Sequence, residues 1–313
     1  MKFIKIFKIH IKKISLIAFF ALMPWLVKSQ YCYKTPPFEK KISVSRSLIQ
    51  ADSIKHSKKK KNKNGFYFGA NLGFYFANSY TAQYYNGSGI NIDGSKANNL
   101  NNVLNSPYNR QEIINLLGYD FDNPGEEQLP SKMKYNPGFL IGPYIKYYIK
   151  NFGIFAQFNF AKLKTNDIFT IIIHDQFYNT SEPTYKQEAI YGAEQRANID
   201  IGFSYTFNTG GKNKPYIEFG YNLNNTKFLE SKIKIEGTEY SIVNPYYSYH
   251  QIDQAGVGMG AFGGGGVELI FNESISINPG FNIYYSKINL GTYYDKYKLN
   301  YSFFVRAILN GLL

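Results

Sequence analysis

Between Ala197 and Leu223 the chain alternates with a period of two, and no other feature constrains its fold so tightly. Ala197, Ile199, Ile201, Phe203, Tyr205 and Phe207 occupy odd positions, while Asn198, Asp200, Gly202, Ser204 and Thr206 occupy even ones. Successive side chains of a strand point to opposite faces, so one face is apolar and the other polar or small. A polar turn over 208–214 follows, after which Ile217, Phe219, Tyr221 and Leu223 alternate with Tyr216, Glu218, Gly220 and Asn222. Two architectures satisfy such a pair: a soluble sandwich with the apolar face inside, or a membrane barrel with that face in lipid.

The rest of the chain separates them. Alternation also begins at Gly65, at Gly138, after the turn Lys150-Asn151-Phe152, at Gly256, after Asn272-Glu273-Ser274, and at Leu299, which brings the count to eight strands. Their connections run long, short, long, short, long, short, long, the long ones being 78–136, 165–195, 224–254 and the lesser 287–297. A sandwich has no reason to sort loop length by end, whereas outer-membrane barrels have even strand numbers, short periplasmic turns and long external loops. The expectation is all-β: an eight-stranded antiparallel up-and-down transmembrane β-barrel over 65–313, with long extracellular loops. Within the first loop, Ser106 and Pro107 open a helix, Ile113, Ile114, Leu116 and Leu117 form its apolar side, and Gly118 ends it. Such a helix can pack over the barrel mouth. The apolar 168–173 reads as a strand extending outward.

Charge is unevenly spread. Residues 1–64 carry 16 Lys/Arg against 2 Asp/Glu, and residues 65–313 carry 19 against 20. The basicity belongs to the leader and tail, so the body lacks the positive groove that tracking phosphates requires, and nucleic acid is not expected as a partner. Residues 1–29 read as a signal peptide, with a lysine-rich start, an apolar run too short to span a bilayer, and Val27-Lys28-Ser29 before the cleavage point. Residues 30–64 read as a disordered periplasmic tail ending in Lys58, Lys59, Lys60, Lys61 and Lys63, candidates for contact with anionic lipid or a periplasmic protein. The single cysteine, Cys32, excludes an intramolecular disulfide and any multi-cysteine metal site. No cofactor is expected.

An eight-stranded barrel is just wide enough for side chains to fill. Lys146, Arg196, Asp200, Glu218, Glu268 and Arg306 fall on inward positions, where charges persist only when paired and hydrogen-bonded. The expectation is an internal ion-pair network, with a narrow polar conduit as the functional alternative. Gly258, Gly260 and Gly263 match the letters of a dinucleotide fingerprint but lie inside an alternating strand, without the helix the motif needs. His174 beside Asp175, and His250, are the candidates for a general base at the rim. Neither a nucleophile elbow nor a zinc-binding helix accompanies them, and no catalytic residue is assigned.

With its aromatic and glycine-rich first strand, Gly65-Phe66-Tyr67-Phe68-Gly69-Ala70-Asn71-Leu72-Gly73, and its tight turns, the body resembles small outer-membrane barrels of the OmpA/OmpX type. More narrowly, it is similar to the PorT-like barrels of Bacteroidetes. The resemblance implies residence in the Gram-negative outer membrane, contact with outer-membrane lipid and, for some members, a part in a secretion apparatus; it implies no catalytic residues. The functional expectation is a structural or binding platform acting through the loops, with an accessory secretion subunit and a rim hydrolase as alternatives.

Overall fold

The computed structural model describes residues 64–89, 99–174, 183–242, 255–272, 274–288 and 295–309. The leader, the lysines at 58–61 and 63, Asp175 and His250 lie outside them. Ten strands follow in chain order: β1 (Gly65–Phe76), β2 (Asp120–Asp122), β3 (Gly138–Ile149), β4 (Phe152–His174), β5 (Thr184–Thr206), β6 (Asn213–Ile235), β7 (Thr238–Ser241), β8 (Ala255–Ile270), β9 (Ile275–Ser286) and β10 (Lys298–Leu309). Eight of them close a ring. β1 pairs β3, the chain then meanders through β4, β5, β6, β8, β9 and β10, and β10 returns antiparallel to β1, with Leu72 opposite Val305. β2 and β7 are short additions to the edges of β4 and β6.

The ring is inside out relative to a soluble protein. Ile201, Phe203 and Phe219 are 54%, 52% and 55% exposed, whereas Arg196, Asp200 and Arg306 are completely buried. Apolar groups in that number on the outside are stable only against hydrocarbon, and closure leaves no unpaired strand edge there.

Three strands do not stop at the membrane boundary. β4, β5 and β6 each hold 23 residues against 12 in β1, β3, β9 and β10. At about 3.3 Å per residue, the 11 extra residues extend each strand by about 36 Å along its length. The outward strand expected at 168–173 is the upper part of β4, and the rest of the described residues of 165–195 and 224–254, expected as loops, are largely a raised wall with it: β4 pairs β5 without a break from Phe152 to Ile173.

At the boundary the faces exchange polarity. Along β4 the outward series passes from Phe158 and Phe160 to Lys162 and Lys164, while the inward series passes from Gln157 and Asn159 to the buried Phe169, Ile171 and Ile173. On β6 a bulge opposite Ala193 and Glu194 leaves Leu229 unpaired, so the inward parity shifts and Ile233 and Ile235 turn into the wall's inner face.

That inner face carries the first loop. α1 (Ser79–Ala82), α2 (Leu100–Leu104) and α3 (Pro107–Leu117) form a cap whose core includes Tyr85, Leu104 and Ile113 against Phe169, Ile190 and Ile233. α3 begins at Pro107 and ends at Gly118 in the left-handed conformation, φ 78°, as the sequence requires. Ser106 occupies the N-cap position without a side-chain capping bond, and Leu116 faces solvent while Ile113 and Leu117 are buried.

Candidate functional site: the filled lumen and its cap

The barrel interior is packed with side chains in three charged tiers. Arg306 of β10 occupies the middle of the lumen. Its Nη1 and Nη2 donate to Glu218 Oε1 and Oε2 at 2.9 and 3.2 Å, and its Nε donates to Asn71 Oδ1 at 2.8 Å. The guanidinium lies 3.6 Å from the centroid of the Tyr144 ring, whose hydroxyl donates to Glu218 at 3.1 Å. A fork matched to a carboxylate and laid over an aromatic face is the arrangement a buried arginine needs.

Asp200, on β5 beside the β6 strand of Glu218, has no ion-pair partner among the described residues. Gln157, Asn222 and Tyr284 donate to it at 2.7, 2.5 and 3.1 Å, so neutral donors stand in for a counter-charge. Nearer the short turns, Lys146 and Glu268 are bridged rather than paired: Lys146 Nζ donates to the Tyr148 hydroxyl at 2.8 Å, and that hydroxyl lies 3.3 Å from Glu268. Of the six inward charges, only Arg306 and Glu218 are in direct ionic contact with each other.

At the opposite end Arg196 pairs at 2.6 Å with Glu194, which falls within 165–195 and is not among the inward charges expected from the alternation. The even parity of Asn198, Asp200 and Arg196 continues through 194 and was the available signal. Tyr85 and Tyr135 both donate to Glu194 Oε2, at 2.9 and 2.7 Å, and Arg196 Nη2 donates to Thr81 Oγ1 at 2.8 Å. This cluster ties the cap to the barrel wall across the mouth. Between the tiers an aromatic chain crosses the lumen, Tyr144 to Phe155, Phe262 and Tyr284, with successive centroids 5.5, 6.0 and 5.7 Å apart. Inward glycines answer this crowding. A Cβ at Gly264 would overlap the Phe281 carbonyl and the Asn282 side chain, and one at Gly192 would enter the Tyr85 ring.

His174 closes β4 at the exposed tip of the wall. Its Nε2 contacts Asp122 Oδ1 at 2.9 Å, so β2 supplies its carboxylate. The Asp122 hydrogen bond holds the imidazole pKa above its ordinary value. Among the described residues no hydroxyl or thiol joins this pair. The GxGxxG letters lie within β8, in unbroken strand.

A closed eight-stranded ring with a lipid-facing apolar band, a filled polar lumen and loop length segregated by end defines a transmembrane β-barrel of the outer-membrane type. Among solved structures the chain is similar to neisserial surface protein A, with 12% identity over 79% of this chain and 97% of that one and a TM-score of 0.38. It is also similar to OprG from Pseudomonas aeruginosa, with 10% identity over 79% and 95% and a TM-score of 0.33. A third is Ail, the attachment invasion locus protein of Yersinia pestis, with 9% identity over 78% and 96% and a TM-score of 0.29. No protein-family model and no curated protein matches the chain.

Proposed function

We propose that this barrel serves as an outer-membrane platform whose capped wall is the working surface, with no catalytic role. One observation carries the reading: β4, β5 and β6 continue beyond the lipid-facing band and support a second hydrophobic core built with the first loop. A loop that only joined two strands would need no such foundation. The surface it presents includes Tyr108, 81% exposed, and Tyr185, 60% exposed. Aromatics of this kind are favoured at protein interfaces because they combine apolar area with a polar tip. The test uses a Cys32→Ser background carrying Tyr108→Cys or Lys212→Cys. A membrane-impermeant maleimide should label position 108 in intact cells and position 212 only after the outer membrane is ruptured. A photo-crosslinker at 108 and 185 should then capture a specific surface partner. Protection of position 108 in intact cells defeats the proposal.

The charge asymmetry between the basic 1–64 and the near-neutral body favours a second reading, an accessory subunit of a secretion system that resembles PorT-like barrels and reaches periplasmic proteins through Lys58, Lys59, Lys60, Lys61 and Lys63. Deleting 58–63 should then reduce secretion and co-purifying proteins while leaving barrel assembly intact. If secretion and co-purifying proteins are unchanged, this reading is removed.

A further inference from the structure

We infer that the β3–β4 sector of the outer rim, at Lys134, Lys162 and Lys164, binds the phosphate headgroup of an anionic membrane lipid whose chains lie on the apolar field below. All three lysines are exposed, and alternation places them outside: Met133 and Tyr135 point into the cap and mouth, and Leu163 is completely buried. The segment carrying Lys134 is fixed beside β4. Asn136 N–H donates to the Lys164 carbonyl at 2.8 Å, and Thr165 Oγ1 donates to the Lys134 carbonyl at 2.9 Å.

Ion pairs engage Lys186 with Glu236, and Lys232 with Glu230 and Glu239. Among the described residues Lys134, Lys162 and Lys164 have no such pair. Two residues below Lys162 stands Phe160, its ring 4.4 Å from Phe158, and Phe139 and Ile141 of the neighbouring strand are 56% and 48% exposed. Three unpaired ammonium groups thus stand immediately above a lipid-facing apolar surface, and that order, cation above hydrocarbon, is the complement of an anionic lipid. The surface is continuous with the band the bilayer already covers, which separates a lipid from a soluble anion as the occupant. A cation at a negatively charged bilayer surface strengthens binding by about fivefold. Three together should give a preference of tenfold or more over a zwitterionic lipid.

The experiment titrates the full-length detergent-solubilised barrel with phosphatidic acid or phosphatidylcholine and reads bound lipid by native mass spectrometry. The expected result is a preference of at least tenfold for phosphatidic acid, lost in Lys134→Gln/Lys162→Gln/Lys164→Gln and kept in Lys150→Gln/Lys212→Gln, which removes two lysines from turns at the other end. Circular dichroism of each variant confirms that the barrel is folded. Equal binding of the two lipids by the unmodified protein overturns the inference, as does a triple variant that keeps the preference. Displacement of the lipid by millimolar inorganic phosphate, or equally tight binding of a soluble acidic polymer, assigns the lysines to a free anion or a polyanionic partner and also overturns it.

Discussion

Arg306 and Glu218 meet through two parallel hydrogen bonds, 2.9 and 3.2 Å long, in the middle of a lumen that seals both from solvent. Removing one partner leaves the other charged and unmatched in a medium that solvates it poorly. Glu218→Leu should therefore destabilise the barrel by about 3–5 kcal/mol, whereas the pairwise replacement Glu218→Leu/Arg306→Met should recover much of the loss. Urea unfolding in lipid vesicles, followed by the far-ultraviolet strand signal, measures both. A double variant no better than the single one would show that the pair does not act as a unit.

At the tip of the wall, Asp122 holds the His174 pKa above its unfolded value. The stabilisation is fully present below the unfolded pKa and is lost as pH rises through the folded one. Amide exchange at the β2–β4 pairing, corrected for its intrinsic pH dependence, should accelerate over that interval and become flat in Asp122→Asn. The His174 ring resonances should titrate at lower pH in the same variant.

Leu229 is the extra residue that turns Ile233 and Ile235 inward. Deleting it alone should leave both isoleucines inward, because the residues after it move up one place and join the inward series of Thr226 and Phe228, whereas deleting Leu229 and Glu230 together should turn both into water, at about 1.5–3 kcal/mol for each. The effect belongs to the cap alone. Protease should cut the first loop of the two-residue deletion variant in intact vesicles, and spare that of the Leu229 deletion, while the ring of eight strands survives in both.

Ile190 is completely buried in the cap core. Ile190→Ala should cost the cap about 2–5 kcal/mol, with no change in the spectrum of the membrane-embedded strands. A calorimetric trace that loses a separate low-temperature transition, leaving the barrel transition in place, would mark the cap as its own cooperative unit. Simultaneous weakening of both would show that the Glu194 cluster couples them.

The eight-strand ring was legible in the sequence because each strand's lipid-facing positions repeat every second residue and the turn lengths sort by end. Of the wall only the outward strand at 168–173 was, for a physical reason. Past Phe160 the outward positions become Lys162, Lys164 and Asn166 because water replaces lipid, and the apolar series moves to Phe169 and Ile171 on the other face. An alternation that changes sign midway cancels in a pattern search and reads as a loop. On β6 the bulge at Leu229 returns the apolar residues to odd positions at Ile233 and Ile235, but polar Asn225 and Lys227 interrupt the series before them. Glu194 was lost with the wall, since it lies just beyond the apparent strand end, and the hydroxyls of Tyr85 and Tyr135 could be assigned to it only once α1 and the approach to β3 were seen above the mouth. The helix at 107–117 was legible because its start and stop are local, whereas the side it buries depends on strands far along the chain.

The cap also fixes an order of events. Its helices lie early in the chain, before β3, yet their partners Ile190, Phe228, Ile233 and Tyr240 come from β5, β6 and β7. The first loop therefore cannot complete its own core alone: the cap closes no earlier than the moment at which β5, β6 and β7 stand beside it.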